Sequence, residues 1–153
     1  FASTVPPFSS TPVHTATLSD LFAAGALHRP PSLASADIGA VGFCYGGGMV
    51  NFLATRVPDL AAGVAYYGSS PNVDDVPKIK TPLVIQSAEV DERINASWPA
   101  YETALKAAKV PYERHLYPGT QHGFNNDTTP RFDAAAAKLS WERTLAHFNK
   151  YLR

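Results

Sequence analysis

The sequence predicts an α/β fold, a mostly parallel sheet with helices on both faces, and three observations predict it. Short apolar runs at 38–43, 60–68 and 82–88 read as buried strands separated by glycine, proline or polar loops. Helical spacing fills the stretches between and after them, so strands alternate with helices, which requires crossover connections and cover on each face. The chain has 153 residues, 45% of them hydrophobic, which suits one domain with a core of its own.

Each element has its own reason. Residues 1–16 are rich in Pro, Ser and Thr without a clear period, and read as extended or loop. "LSDLFAAGAL", 18–27, reads as a short helix with Ser19 as N-cap and Gly25 near its end, broken by "HRPPS". "IGAVGF" is the first buried strand; glycines lead from it into "GGMVNFLATRV", a helix that stops before Pro58. "LAAGVAYYG" is a second strand, "SSPNVDDVPKIK" a surface loop, and "PLVIQSA" a third strand rich in branched apolar residues. Pro99 suits the first turn of a helix over 98–109, and "PYERHLYPG" gives a fourth strand, Tyr112 to Tyr117, closed by a turn. Residues 131–152 place Phe132, Ala135, Ala136, Leu139, Leu145, Phe148 and Leu152 at near-helical spacing. The chain thus divides into a proline-rich extended segment with a short helix, 1–37, and a core, 38–153.

Composition narrows the function. Thirteen basic residues balance thirteen acidic ones, which leaves no footprint for nucleic acid and no polybasic arm for a lipid surface. Apolar runs are too short and too interrupted by glycine to span a bilayer, and the opening "FASTVPPFSS" has no charged, apolar leader pattern; it also lacks methionine. A single cysteine excludes an internal disulfide framework and any CxxC zinc or redox pair. The expectation is a soluble chain, with the cytoplasm slightly favoured.

That cysteine sits in Gly42-Phe43-Cys44-Tyr45-Gly46, a G-x-C-x-G pattern between a strand and a helix. A nucleophile on such a sharp turn needs small residues two positions away on each side, because the chain crosses itself closely there. The following helix N-terminus is expected to lower the thiol pKa, and the Tyr45 N–H to face a developing oxyanion. The competing readings are a buried structural cysteine and a metal ligand, the latter opposed by the absence of any His or second Cys at ligand spacing.

An attacking thiol needs a base. Of the five histidines, His14 and His28 lie in or beside the proline-rich part, His115 in a strand and His147 in the last helix. His122 sits in "YPGTQHGFNND", a glycine-bearing loop after the fourth strand, where parallel sheets keep their reactive groups. A carboxylate should fix its tautomer. "SAEVDERIN" offers Glu89, Asp91 and Glu92, and Asp91 is favoured because it lies just far enough past the strand for the loop to turn back. The order Cys44, Asp91, His122 is that of the α/β-hydrolases.

"GFCYGGG", "YYGSSP", "SAEVDERIN" and "YPGTQHGFNNDTTPRFDAAAAKLSWERTLAHF" together resemble the dienelactone hydrolase family, the cysteine branch of the α/β-hydrolases, from Ile38 to Leu152. The resemblance implies Cys44 as nucleophile, Asp91 and His122 as the rest of a triad, Tyr45 as an oxyanion donor, and hydrolysis of lactones or small esters without cofactor or metal. Family members are longer, with strands before the nucleophile strand that supply a second oxyanion donor and, in the type enzyme, a glutamate on the resting thiol and a substrate-binding arginine. A further arginine four residues past the family's histidine is Asn126 here. With that arginine missing, a general short ester is a safer substrate than dienelactone, although Arg93 and Arg131 are candidates for a substrate carboxylate. Tyr66, Tyr67, Arg93, Phe124, Asn126 and Arg131 are candidate pocket residues, with core packing as the competing reading for the aromatic ones.

A truncated α/β-hydrolase fold leaves the strand at Ile38–Phe43 with an apolar edge to cover. The expected cover is a second copy, in a homodimer or higher oligomer to which the N-terminal segment contributes. The sequence therefore predicts a cysteine hydrolase of small esters or lactones; the alternative is a folded remnant of one that binds small ligands with little or no turnover.

Overall fold

In the computed structural model the described residues are 38–152, within a unit running from Ala36 to Arg153. The helix expected at 18–27 and the contact expected of 1–37 lie outside the described residues. Strands β1 (Ile38–Phe43), β2 (Leu60–Tyr66), β3 (Leu83–Val90) and β4 (Tyr112–Gln121) form a four-stranded sheet in that spatial order. Every neighbouring pair is parallel. Helices α1 (Tyr45–Arg56), α2 (Glu92–Asn95), α3 (Trp98–Ala107) and α4 (Ala134–Tyr151) complete the fold.

Strand alternation sorts the core into two layers. Leu83 and Ile85 of β3 face Val50 and Ala54 of α1 and Tyr101 and Leu105 of α3. Val84 and Ala88 point the other way, into a cluster with Val64, Tyr66, Tyr117, Phe124 and Ala136 of α4. The α/β fold and its two-sided helical cover agree with the sequence reading.

Three elements differ from it. The loop before β3 holds a 3-10 turn, Val73–Lys78, because Val76 and Ile79 are pulled into the core, and Asn72 caps it by accepting from the Asp74 N–H. β4 does not stop at Tyr117 but continues through Pro118 to Gln121; within the described sheet it is an edge strand, where a missing N–H breaks no ladder. α4 starts only at Ala134, with the Asp133 carboxylate accepting from the Ala136 N–H at 2.8 Å, so Phe132 falls outside the helix.

The buried face of α4 is also polar, formed by Ala136, Ser140, Thr144 and His147, while Leu139, Trp141 and Leu145 keep 42%, 41% and 45% of their surface exposed. Strand side chains make that burial tolerable. Tyr66 Oη and Thr144 Oγ1 are 2.8 Å apart, Gln86 donates to the Ser140 carbonyl at 3.1 Å, and Tyr117 donates to Gln86 Oε1 at 2.6 Å. A fully hydrogen-bonded polar layer of this kind fixes how α4 sits on the sheet.

His147 Nε2 pairs with the Pro82 carbonyl at 3.2 Å, and burial lowers the pKa of His147 and of His115. A histidine whose folded pKa is depressed binds protons more readily when unfolded, so its contribution is complete above the unfolded pKa and is lost as pH falls below it. Urea midpoints are therefore expected to drop as pH falls below about 6.5. His147→Gln should flatten that slope; an unchanged slope would show that other groups control it.

On its far side β1 has no strand partner among the described residues, and Ile38, Val41 and Phe43 are 41%, 39% and 37% exposed. No helix among them is long and apolar enough to cross a membrane.

Candidate active site

Sheet register brings the chemistry to one edge. Phe43 pairs with Tyr66, Tyr66 with Gln86, and Val90 with Gln121, so Cys44, Tyr67, Asp91 and His122 all emerge at the carboxyl ends of the strands.

Cys44 occupies the turn between β1 and α1 with φ 54° and ψ −117°, a left-handed conformation that costs a non-glycine residue about 1–3 kcal/mol. Backbone bonds hold it there: its N–H donates to the Tyr66 carbonyl at 3.1 Å, and its carbonyl accepts from Gly48 at 3.2 Å. The close crossing is real but distributed differently from expectation. A Cβ on Gly42 would lie 2.1 Å from the Gly46 carbonyl oxygen, whereas one on Gly46 would meet nothing within 4 Å. Further crowding falls on Gly47, where a Cβ would lie 2.4 Å from the Tyr66 oxygen, and on Gly68 beyond β2, where one would lie 2.2 Å from Gly47.

His122 Nδ1 lies 2.6 Å from Asp91 Oδ2, and Asp91 is only 8% exposed. The competing carboxylates are placed elsewhere: Glu89 accepts from the Gly119 N–H at 2.8 Å, and Glu92 opens α2 at the surface. The turn carrying Asp91 is braced from behind by residues that sequence reasoning missed. Asn95 donates to the Ala88 carbonyl at 2.8 Å and accepts from Arg114 at 2.8 Å. Arg114 also donates to Ser87 Oγ at 3.0 Å and lies over the Trp98 ring at 4.5 Å. No local pattern marks these residues, since each partner is distant in sequence.

Past His122, Gly123 adopts φ 87°, and its open α-carbon faces the Arg131 guanidinium. Asn126 Oδ1 is engaged within its own loop by the Thr128 N–H and hydroxyl, at 3.0 and 2.7 Å. Tyr66 and Phe124 are fully buried core residues, and Tyr67 is 2% exposed with its ring centroid 4.9 Å from that of His122. The Tyr45 side chain is 78% exposed, and its N–H is the first of the α1 terminus, where helix geometry supplies no partner.

The thiol itself is at the surface of the described unit, yet partial burial raises its pKa. Arg131 opposes that rise, Asp91 adds to it, and Arg93 opposes it. The lowering expected from the helix end therefore does not prevail, because desolvation outweighs the favourable charges. Among the described residues no group of three or more His, Cys, Asp or Glu is placed to hold a metal ion.

A strained residue on a strand-to-helix turn, with an Asp–His pair following later parallel strands, defines an α/β-hydrolase arrangement. The chain belongs to the dienelactone hydrolase family, whose model matches residues 8–152. It is 37% identical over 112 residues to a Saccharolobus solfataricus protein described as "Putative carboxymethylenebutenolidase", covering 72% of this chain and 43% of that protein. It is 31% identical over 121 residues to the carboxymethylenebutenolidase homolog of Xenopus tropicalis, covering 75% of this chain and 49% of the relative. A Klebsiella pneumoniae crystal structure described as "Putative Dienelactone Hydrolase" superposes with a TM-score of 0.69 at 31% identity, over 74% of this chain and 52% of that one. The matches thus span about half the length of these relatives.

Proposed function

We propose that the chain hydrolyses small carboxylic esters or lactones through Cys44, His122 and Asp91, by way of an acyl-thioester. The observation that carries this reading is the 2.6 Å Asp91–His122 hydrogen bond, formed at the same sheet edge as the strained Cys44 turn. In the proposed cycle His122 Nε2 takes the thiol proton as Sγ attacks the ester carbonyl. A thiol whose pKa is raised needs that base more than one already ionised. The Asp91 carboxylate holds the ring with Nδ1–H toward it and balances the imidazolium that forms. Negative charge on the carbonyl oxygen leans on the Tyr45 N–H. Collapse of the tetrahedral species expels the alcohol with the proton from His122; water, deprotonated by the same imidazole, then releases the carboxylic acid and restores the thiol.

Arg93 and Arg131 add two cationic groups around the thiol, which favours an acyl group bearing its own carboxylate. The test is p-nitrophenyl acetate hydrolysis by the purified chain, with mass spectrometry of acid-quenched protein. Turnover with a transient acetyl adduct on Cys44 supports the reading. Intact fold with neither turnover nor adduct would favour a remnant that only binds small ligands.

The apolar far edge of β1, without a strand partner among the described residues, supports a second proposal, that two copies cover it in a homo-oligomer. Light scattering at micromolar concentration should give a mass above that of one chain, and Val41→Lys should shift it down. A monomer in both would overturn the proposal.

A further inference from the structure

Tyr67 holds a place that the triad chemistry does not explain. It follows β2 with φ 35°, a left-handed conformation for a bulky side chain, and is held there by an N–H bond to the Gln86 carbonyl at 2.7 Å. Strain of this kind persists only where surrounding structure enforces it, and it is a pointer to function. What the strain achieves is visible in the ring's neighbours. Its centroid lies 4.9 Å from the His122 imidazole at 56°, 5.4 Å from Phe124 edge-to-face, and 6.4 Å from Phe43. The ring therefore touches the histidine, the histidine's loop, and the residue immediately before the thiol. Burial pushes the Tyr67 hydroxyl up, and charge on Cys44 acts on it next most strongly.

We propose that the Tyr67 ring is a positioning residue for His122, fixing the imidazole plane between Asp91 and Cys44 and supporting its cationic form. A hydrogen bond at Nδ1 alone leaves the ring free to swing about that contact; an aromatic ring packed against it at a tilt of 56° restricts this freedom. A protonated imidazole near an aromatic ring also gains electrostatic attraction, which the neutral ring lacks, so the contact strengthens as the proton moves from sulfur to nitrogen. In this proposal the ring carries the effect; the hydroxyl, which meets the Asn125 backbone in the same loop, is the competing contact that Tyr67→Phe removes.

The inference rests on the hydrolase reading, and its test separates the two. Tyr67→Leu and Tyr67→Met remove the ring; Tyr67→Phe keeps it. Esterase kinetics are measured with p-nitrophenyl acetate and, independently, Cys44 alkylation with iodoacetamide, which needs only the thiol and its base. In folded Leu or Met variants kcat and the alkylation rate should each fall about tenfold. KM should stay within about twofold, and Tyr67→Phe should restore most of both rates. Loss in Phe equal to that in Met, or rates in Met within about twofold of the parent chain, would overturn the proposal. If the parent chain turns over no ester, the hydrolase reading fails, and the alkylation series alone still decides the role of Tyr67.

Discussion

Cys44→Ala and His122→Ala are each expected to lower kcat for p-nitrophenyl acetate by roughly 10⁴-fold or more, to the level given by binding and oxyanion contacts alone. Neither change should disturb the fold. Cys44 is exposed and belongs to neither core cluster of the described residues. Among the described residues His122 meets Asp91 and the Tyr67 ring, and the Asp91 turn is braced independently by Asn95 and Arg114. The double variant should be no slower than the worse single one, because a nucleophile and its base act as a unit. Additive losses would mean that the two residues do not share one step. Equal rates in all variants, with unchanged circular dichroism, would sink the cysteine mechanism outright.

Like Gly68→Ala, and for the same reason, Gly42→Ala should be strongly destabilising. Its Cβ would stand 2.1 Å from the Gly46 oxygen and 2.9 Å from the Gly47 nitrogen, both backbone atoms that no rotamer change can move. Relief requires the β1 strand and the α1 start to separate, which strips the bond from Cys44 N–H to the Tyr66 carbonyl and loosens the register of β1 on β2. The expected cost is about 3 kcal/mol or more, at the upper end of overpacking effects. Gly46→Ala is the control: its Cβ would meet nothing within 4 Å, and it lies in α1, where alanine is preferred over glycine. Urea unfolding should separate the two variants widely. Similar midpoints would show that the elbow yields more easily than its geometry implies.

These two expectations also mark how far the sequence could be read. The G-x-C-x-G pattern located the elbow, but its symmetry suggested that both glycines are needed for the same reason. Only Gly42 is, because the chain crossing sets the Gly42 α-carbon against the Gly46 carbonyl while Gly46 itself faces open space. The last helix is legible as a helix, but its spacing does not say which side is buried. Leu139 and Leu145 look like core residues by spacing, but the sheet presents Tyr66, Gln86 and Tyr117 to that helix, and these select Ser140 and Thr144 as partners. The thiol followed the same course: a helix N-terminus is a local feature, whereas the desolvation that overrides it comes from the folded surroundings.

What the sequence by itself determined was the alternation of strands and helices, the elbow, and the order of the cysteine, aspartate and histidine along the chain. Those depend on local conformational preference and on short-range patterning, which survive in one dimension. What only the tertiary structure decided was register. The pairing of Val90 with Gln121 sets the next residues, Asp91 and His122, within hydrogen-bonding reach, while Glu89 is drawn off to Gly119. The same alignment of β2 with β3 forces Tyr67 against the imidazole. A one-residue slip would turn every one of these side chains to the opposite face, so the site exists only once the sheet has chosen its alignment.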